Sequence, residues 1–442
     1  MTTNKPEKLP LPPGKFGLPF LGETLSFLRD RSFAEKRHQQ YGEIFKSSIL
    51  GKPTIFLQGS EANQFIFSNE NKNFVVSWPP STQALLGSLS LALQSGETHK
   101  KSRKILYQAF QPRALTGYVS AMEQITQNYL EKWAQQQTLT WYPELRNYTL
   151  DIACKLLVGI DRGSQTKLAR LFETWCQGIF TVALPLPWTK FGRAKQARKL
   201  LLAEIETIIH QRQQQSDRGN DTLGLLIEAR DEDGNSLSIA ELKDQVLLLL
   251  FTGHETLTSA IASFCFLVAQ HPEVRAKIRS EQQKFSSAAP LTFDQLKQMT
   301  YLEQVLQEVL RLIPPASGGF RKVINPCQFQ GYQIPQGWKI LYQTYQTHLD
   351  ASVYTQPKQF DPDRFNPEHS QSKTKTFSYI PFGGGIRECI GKEFARLEIK
   401  IFAALLARDY EWELLPNQNL SIVSGTTTHP HDGLQFHLKF SN

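Results

Sequence analysis

Cys389 stands in Phe382-Gly-Gly-Gly385-Ile-Arg387-Glu-Cys389-Ile-Gly391, a setting unlike that of any other cysteine in the chain. The glycines before it let the backbone turn tightly, and Gly391 lets a flat ligand approach the start of the following helix. At a helix N-terminus, the dipole and the free N–H groups favour thiolate over thiol. A lone thiolate in a closely approached loop suits an axial ligand of haem iron, which it makes electron-rich for O–O cleavage. Cys154, Cys176, Cys265 and Cys327 are far apart and form no CxxC pair, so they read as small buried core residues. Two further groups of residues could carry chemistry. Thr252-Gly253-His254-Glu255-Thr256 places an acid and hydroxyls in an otherwise apolar stretch, around a glycine that costs a helix interior about 1 kcal/mol. Glu308 and Arg311 form an i,i+3 pair, which on a surface would contribute only a few tenths of a kcal/mol. Theirs is an apolar helix, and Phe360-Asp-Pro362-Asp363-Arg364-Phe365 follows downstream.

The cysteine segment resembles FxxGxRxCxG, the haem-binding signature of the cytochromes P-450. With this chain's composition the Phe, Gly, Cys and Gly offsets would arise by chance in about one chain in a thousand. The resemblance extends from about Pro12 to Phe436 and implies haem b as cofactor, with Cys389 on the iron and Phe382 and Arg387 beside it. Glu308, Arg311 and Arg364 match the family's ExxR and PxRF motifs, which implies a buried triad with a structural role. Thr252 to Thr256 is similar to the oxygen-activation motif (A/G)Gx(D/E)T, with Thr where Ala or Gly is usual. The resemblance makes Thr256 a donor and Glu255 a proton relay, in a helix opened locally to admit dioxygen and a water. His254 reads as a neighbour of this site rather than a ligand. His99 and Arg103, spaced i,i+4, resemble the (W/H)xxxR helix; with Arg321 and Arg387 they complete the implied partners of the haem propionates. Trp78, Phe180, Trp188, Phe251 and Gly319 are the implied substrate contacts, with Gly318 and Gly319 leaving a slot near the iron.

These residues need elements to position them. Ser238-Ile-Ala-Glu241 is a capping box, and the helical pattern runs from it to His271-Pro272, about 32 residues or about 48 Å. The polar cluster at its middle argues against a lipid-facing span and for a helix crossing a protein core. Thr292-Phe-Asp-Gln295 caps another helix, and Tyr301 to Leu312 continues as one. Leu115 to Cys154 and Ala194 to Arg212 read as long amphipathic helices, and Gly391 to Tyr410 as the last one. Glu43 to Ile49 and Pro53 to Gln58 look like strands. Arg321 to Leu341 is strand-like, with a hairpin expected to turn at Pro335 to Gly337. The order is mixed α and β with helix dominant. The resemblance implies the cytochrome P-450 fold, a helix-rich part and a smaller β-rich part around a buried haem, as one domain over 1–442 with residues 1–10 flexible.

Composition removes several alternatives. The chain has 442 residues, 40% hydrophobic and 20% charged, enough to build a sizeable core. Lys and Arg number 49 against 41 Asp and Glu, a net charge of +8, but the basic residues form no tail or block, so nucleic acid is not the expected partner. Five scattered cysteines exclude a disulfide scaffold and a four-cysteine zinc site, and indicate a reducing compartment. The start, MTTNKPEKLPLPPG, carries no apolar h-region, and no transmembrane anchor is expected. The reading is a cytoplasmic monomer in at most peripheral contact with membranes. It would hydroxylate a hydrophobic substrate with O2 and electrons from an acidic ferredoxin or flavodoxin and its reductase. Lys100, Lys101, Lys104, Lys392, Arg396 and Lys400 are the basic residues expected to face that partner. Within the family, the start, TGHET and RLIPPASGGFR look most like the retinoic-acid hydroxylase branch and its cyanobacterial relatives, so a retinoid, an apocarotenoid or a long-chain lipid is the expected substrate. A peroxygenase or isomerase on the same fold, or a haem protein without catalysis, are the alternatives.

Overall fold

Two adjacent residues with positive φ, Leu50 (52°) and Gly51 (70°), fold the strands Ile44–Ile49 and Lys52–Leu57 into a tight antiparallel hairpin. The computed structural model describes residues 9–30, 32–285, 289–424 and 426–441. Most of the N-terminal segment 1–10 lies outside them. The chain divides into two compact units, and the hairpin belongs to the first: Met1–Trp78, Ala316–Gln359 and Ser370–Cys389. The second comprises Pro79–Pro315, Phe360–His369 and Ile390–Asn442.

The first unit is built on a five-stranded sheet ordered Ile44–Ile49, Lys52–Leu57, Lys339–Gln343, Gly318–Val323, Phe74–Val76. All its pairings are antiparallel except that of Lys52–Leu57 with Lys339–Gln343. Successive strand residues point to opposite faces, and both faces are covered. Ile44, Ile55, Ile340 and Val323 pack on one side, while Phe45, Phe56 and Leu341 pack on the other with Phe33. The Phe45 and Phe56 rings stack at 4.6 Å. The hairpin expected at Pro335 to Gly337 does not form there. Tyr332–Ile334 pairs backwards with Cys327–Phe329, while Lys339–Gln343 takes its partners from two other strands. The apolar pattern of a strand shows that it pairs, not with which strand.

The second unit is helical, with a three-stranded antiparallel sheet ordered Thr138–Thr140, Gln435–Phe440, Tyr410–Leu414. Its long helix, Ile239–Ala269, starts at the expected capping box: Ser238 Oγ accepts from Glu241 N and Glu241 Oε2 from Ser238 N. By length and apolar composition this helix could cross a membrane, yet it is largely buried in protein. The stretch from Leu115 to Cys154 is not one helix. Pro112–Gln136 ends where Gln137 takes φ 62°, a short strand follows, and Trp141–Ala153 continues into a π-helical turn, Cys154–Val158. The helices Lys190–Gln214, Thr300–Leu312 and Lys392–Asp409 lie where the sequence places them.

Candidate active site

In the first unit the cysteine loop is held from within. Cys389 N donates to Phe382 O at 2.9 Å, and Gly383 N to Ile380 O at 3.0 Å. Gly383 and Gly385 have φ 71° and 64°, values that L side chains avoid. At Gly384 a Cβ would stand 2.6 Å from the Phe67 ring, so the loop can close over that phenylalanine only with glycine. Cys389 itself is exposed at the end of this unit. Beyond it, Gly391 has nothing within 4 Å of where a Cβ would stand, as the approach of a flat ligand requires.

Arg321 and Arg387 converge on one carboxylate that the sequence did not single out. Arg321 Nε lies 2.5 Å from Glu70 Oε2, and Arg387 Nε lies 2.7 Å from Glu70 Oε1. The Arg321 guanidinium also stands over the Tyr342 ring at 5.5 Å. Two guanidinium groups thus share one carboxylate in a nearly closed setting, and cationic groups of this kind fit the anionic edge of haem. No local pattern could have revealed Glu70, because its partners lie 251 and 317 residues away.

In the second unit the polar cluster sits in a helix that runs unbroken through Gly253, so the expected local opening is absent. Thr256 Oγ donates to Thr252 O at 2.8 Å, and Thr252 Oγ to Leu248 O at 2.9 Å. Each hydroxyl thus bonds back to a carbonyl one turn earlier in the same helix. His254 and Glu255 are buried. His254 Nδ1 is 2.8 Å from Thr149 Oγ, and burial drives its pKa well below the ordinary value, so the ring is neutral. The Glu255 carboxylate lies 2.9 Å from Arg146, a partner from the helix Trp141–Ala153 that the sequence reading missed. Burial opposes the charge on Arg146, but Glu255 holds the guanidinium protonated.

His99 is buried and Arg103 half-buried on the helix Gly96–Tyr107, one turn apart as expected. The triad forms. Glu308 receives Arg311 Nε at 2.6 Å and a second nitrogen of Arg311 at 2.8 Å, Arg364 Nε at 3.0 Å and the Asp361 N–H at 2.9 Å. The presumed substrate contacts are scattered. Phe251 packs edge-on against Trp175 at 5.4 Å, Trp78 is half-buried, Phe180 is 39% exposed, and Trp188 is 74% exposed on the surface of its unit. The slot expected at Gly318 and Gly319 is taken: Cβ atoms there would meet the Tyr342 carbonyl oxygen at 2.1 Å and the Tyr342 ring at 2.6 Å. These glycines serve the strand pairing Gly319↔Tyr342.

Nor are the expected basic residues an open row. Lys100 pairs with Glu97, Lys101 with Asp233 and Lys104 with Glu232. Arg396 and Lys400 both bind Glu303, at 2.6 and 2.7 Å.

The family profile described as Cytochrome P450 matches residues 12–434. A putative cytochrome P450 120 of Synechocystis is 52% identical over 430 residues, 97% of each chain. Cytochrome P450 26A1 of Gallus gallus is 36% identical over 442 residues, covering 96% of this chain and 89% of that one. A solved structure titled "Retinoic acid bound cyanobacterial CYP120A1" superposes with a TM-score of 0.95 and 51% identity, over 98% of this chain and 100% of that one. Fold and cysteine loop together define a haem-thiolate monooxygenase. The chain belongs to the cytochrome P450 family and takes haem b as cofactor.

Proposed function

We propose that this enzyme hydroxylates a retinoid or a related long conjugated lipid, with electrons delivered by an acidic ferredoxin or flavodoxin. The observation that carries the substrate is the full-length likeness, at 51% identity, to a cyanobacterial enzyme whose structure was solved with retinoic acid. Haem b, bound through a cysteine thiolate, supplies the iron at which dioxygen is activated. Cys389 is the residue to hold it, with Phe382 beside the thiolate and His99, Arg103, Arg321 and Arg387 as cationic or hydrogen-bonding partners of its carboxylates. Thr256 and Glu255 handle protons. The Thr256 hydrogen is given to the Thr252 carbonyl, which leaves its lone pairs to accept from a water. Proton passage through Glu255 requires its contact with Arg146 to open.

We read the two units as one functional domain, since the family match runs through both and the chain passes between them at Cys389–Ile390. The enzyme acts as a cytoplasmic monomer that touches membranes peripherally. Exposed Leu18, Phe20, Leu25 and Leu28 in the first unit support that contact, Phe20 being 98% accessible.

Titration of the ferric enzyme with retinoic acid, a fatty acid and a small terpene tests the substrate. Retinoic acid should displace the iron's distal water and shift it from low to high spin, whereas a response to the terpene alone would overturn the retinoid reading. Cys389→Ser should abolish the thiolate-type carbon-monoxide band while helix content is kept. Thr256→Ala should still consume reductant but release more hydrogen peroxide per product.

A further inference from the structure

The three lysines on the helix Gly96–Tyr107 do not meet carboxylates at random. Lys101 and Lys104 are both met by one short loop, Arg230-Asp-Glu-Asp-Gly-Asn, between the helix Thr222–Glu228 and the long helix. That loop is folded in advance. Asp231 Oδ1 accepts from the N–H groups of Asp233 at 3.0 Å and Asn235 at 2.8 Å, and Asp231 N donates to Asn235 O at 2.9 Å. Gly234, at φ 81°, closes the turn. Asp231 is thus spent on shaping the loop, while Glu232 and Asp233 project as two carboxylates one residue apart. They reach lysines three residues apart, on one face of the opposing helix. Gln108 Nε2 ties the loop to that helix through Arg230 O at 3.3 Å.

The contact is built to be replaceable. All four side chains are more than half exposed, and exposed pairs are held only weakly. A cleft of about 380 Å³, lined among others by Lys101, Ser102, Asp231 and Leu237, remains between loop and helix. An acidic carrier arriving at this helix must therefore exchange its own carboxylates for those of the loop.

We propose that the loop 230–235 is an internal stand-in for the acidic redox partner. It occupies the lysines of the docking helix in the resting enzyme and is displaced when a carrier with paired surface carboxylates binds. The inference rests on the docking surface read above, and it explains why an open row of lysines is not found there. The stand-in raises the carrier concentration needed for electron transfer and filters out weakly acidic carriers. A carrier bearing several carboxylates gains more than the loop's two contacts.

The test follows haem reduction in the holoenzyme under carbon monoxide, which needs no knowledge of the substrate. The probe is a plant-type [2Fe–2S] ferredoxin with its NADPH-dependent reductase. Glu232→Gln with Asp233→Asn should lower the half-saturating ferredoxin concentration about two- to tenfold at low ionic strength. The gain should vanish near 1 M salt, where screening acts within about 3 Å. Reduction by dithionite should be unchanged. Neutralising two exposed carboxylates elsewhere in the same unit, Glu131→Gln with Glu413→Gln, controls for net charge. An equal gain in that control, or no gain in the loop variant, would overturn the proposal. Lys101→Glu with Lys104→Glu tests the docking surface itself: weaker ferredoxin use supports it, and an unchanged half-saturation removes it. If these lysine changes weaken the enzyme while the loop variant gains nothing, only the stand-in is lost.

Discussion

Each unit contains a carboxylate that gathers two arginines, and the two centres are solved differently. Glu308 is wholly enclosed: Arg311 grips both its oxygens, Arg364 takes one of them again, and the Asp361 N–H adds a fourth donor, with every side chain at most 1% exposed. Glu70 meets the Nε atoms of Arg321 and Arg387, one on each of its oxygens, and these arginines keep 6% and 9% of their side-chain surface. The first arrangement satisfies its charges internally and can only support the fold. In the second, the arginines keep a little surface of their own, where an anionic ligand group can meet them. Charge stoichiometry is thus a poor guide to role. What separates a structural cluster from a binding one is how many of the donors remain to be used.

The largest expected effect lies at the closed centre. Glu308→Gln would take the shared carboxylate from two buried guanidinium groups, leaving Arg364 only the longer 3.8 Å contact with Asp361, a loss of about 3–5 kcal/mol. Urea unfolding of the holoenzyme should show it, and a loss below 1 kcal/mol would mean that the cluster is not the closed unit described here.

Next comes a test of where acid sensitivity in the first unit arises. Burial pushes the His38 pKa down to about 4, against 6.5 for a free side chain, and Nδ1 is bonded to Gly42 O at 2.7 Å. The unfolded chain therefore binds more protons between pH 4 and 6.5, so this contribution is complete above 6.5 and lost on falling towards 4. About 3 kcal/mol is at stake over that window. His38→Gln, whose amide can still donate to Gly42, should flatten this part of the stability–pH curve. A curve as steep as before would show that His38 is not the source of the acid response.

These centres also show what the sequence could and could not convey. Glu308 and Arg311 are legible because one helical turn brings them together, and the capping box at Ser238 is legible for the same reason. Arg364 became legible through a motif, since 56 residues separate it from Glu308. Glu70, Arg146 and the loop at Glu232 sit in no motif and meet their partners only after folding. On Gly96–Tyr107 the pairing of Lys100 with Glu97 is local, but the carboxylates that meet Lys101 and Lys104 come from a loop about 130 residues away and were invisible. The misplaced hairpin and the slot expected at Gly319 share one cause. Strand propensity and small side chains are local properties, whereas the strand or ring that uses them is set by the sheet.

A third change sharpens the contrast at the open centre. Glu70→Gln removes a counter-charge from two arginines that are slightly less enclosed than those at Glu308, so it should cost about 1–3 kcal/mol. The same urea series measures it. A loss equal to that of Glu308→Gln would erase the distinction between the two clusters.

The smallest effect should come from Arg321→Lys. Arg321 presents Nε to Glu70 and another nitrogen to its neighbour's carbonyl, Phe320 O, at 3.0 Å, while its plane lies over Tyr342. A lysine ammonium can keep the charge near Glu70 but loses the fork and the flat contact with the ring. About 1 kcal/mol or less should be lost, since the charge beside Glu70 is kept and only the fork and the ring contact are given up. At Arg311 the same replacement would break a buried two-point grip on Glu308 and should cost more. Unfolding midpoints of the two lysine variants, measured side by side, decide the matter. Equal losses would show that Glu70 holds its arginines as tightly as Glu308 does, and a haem-carboxylate role for Arg321 would then lose its physical basis.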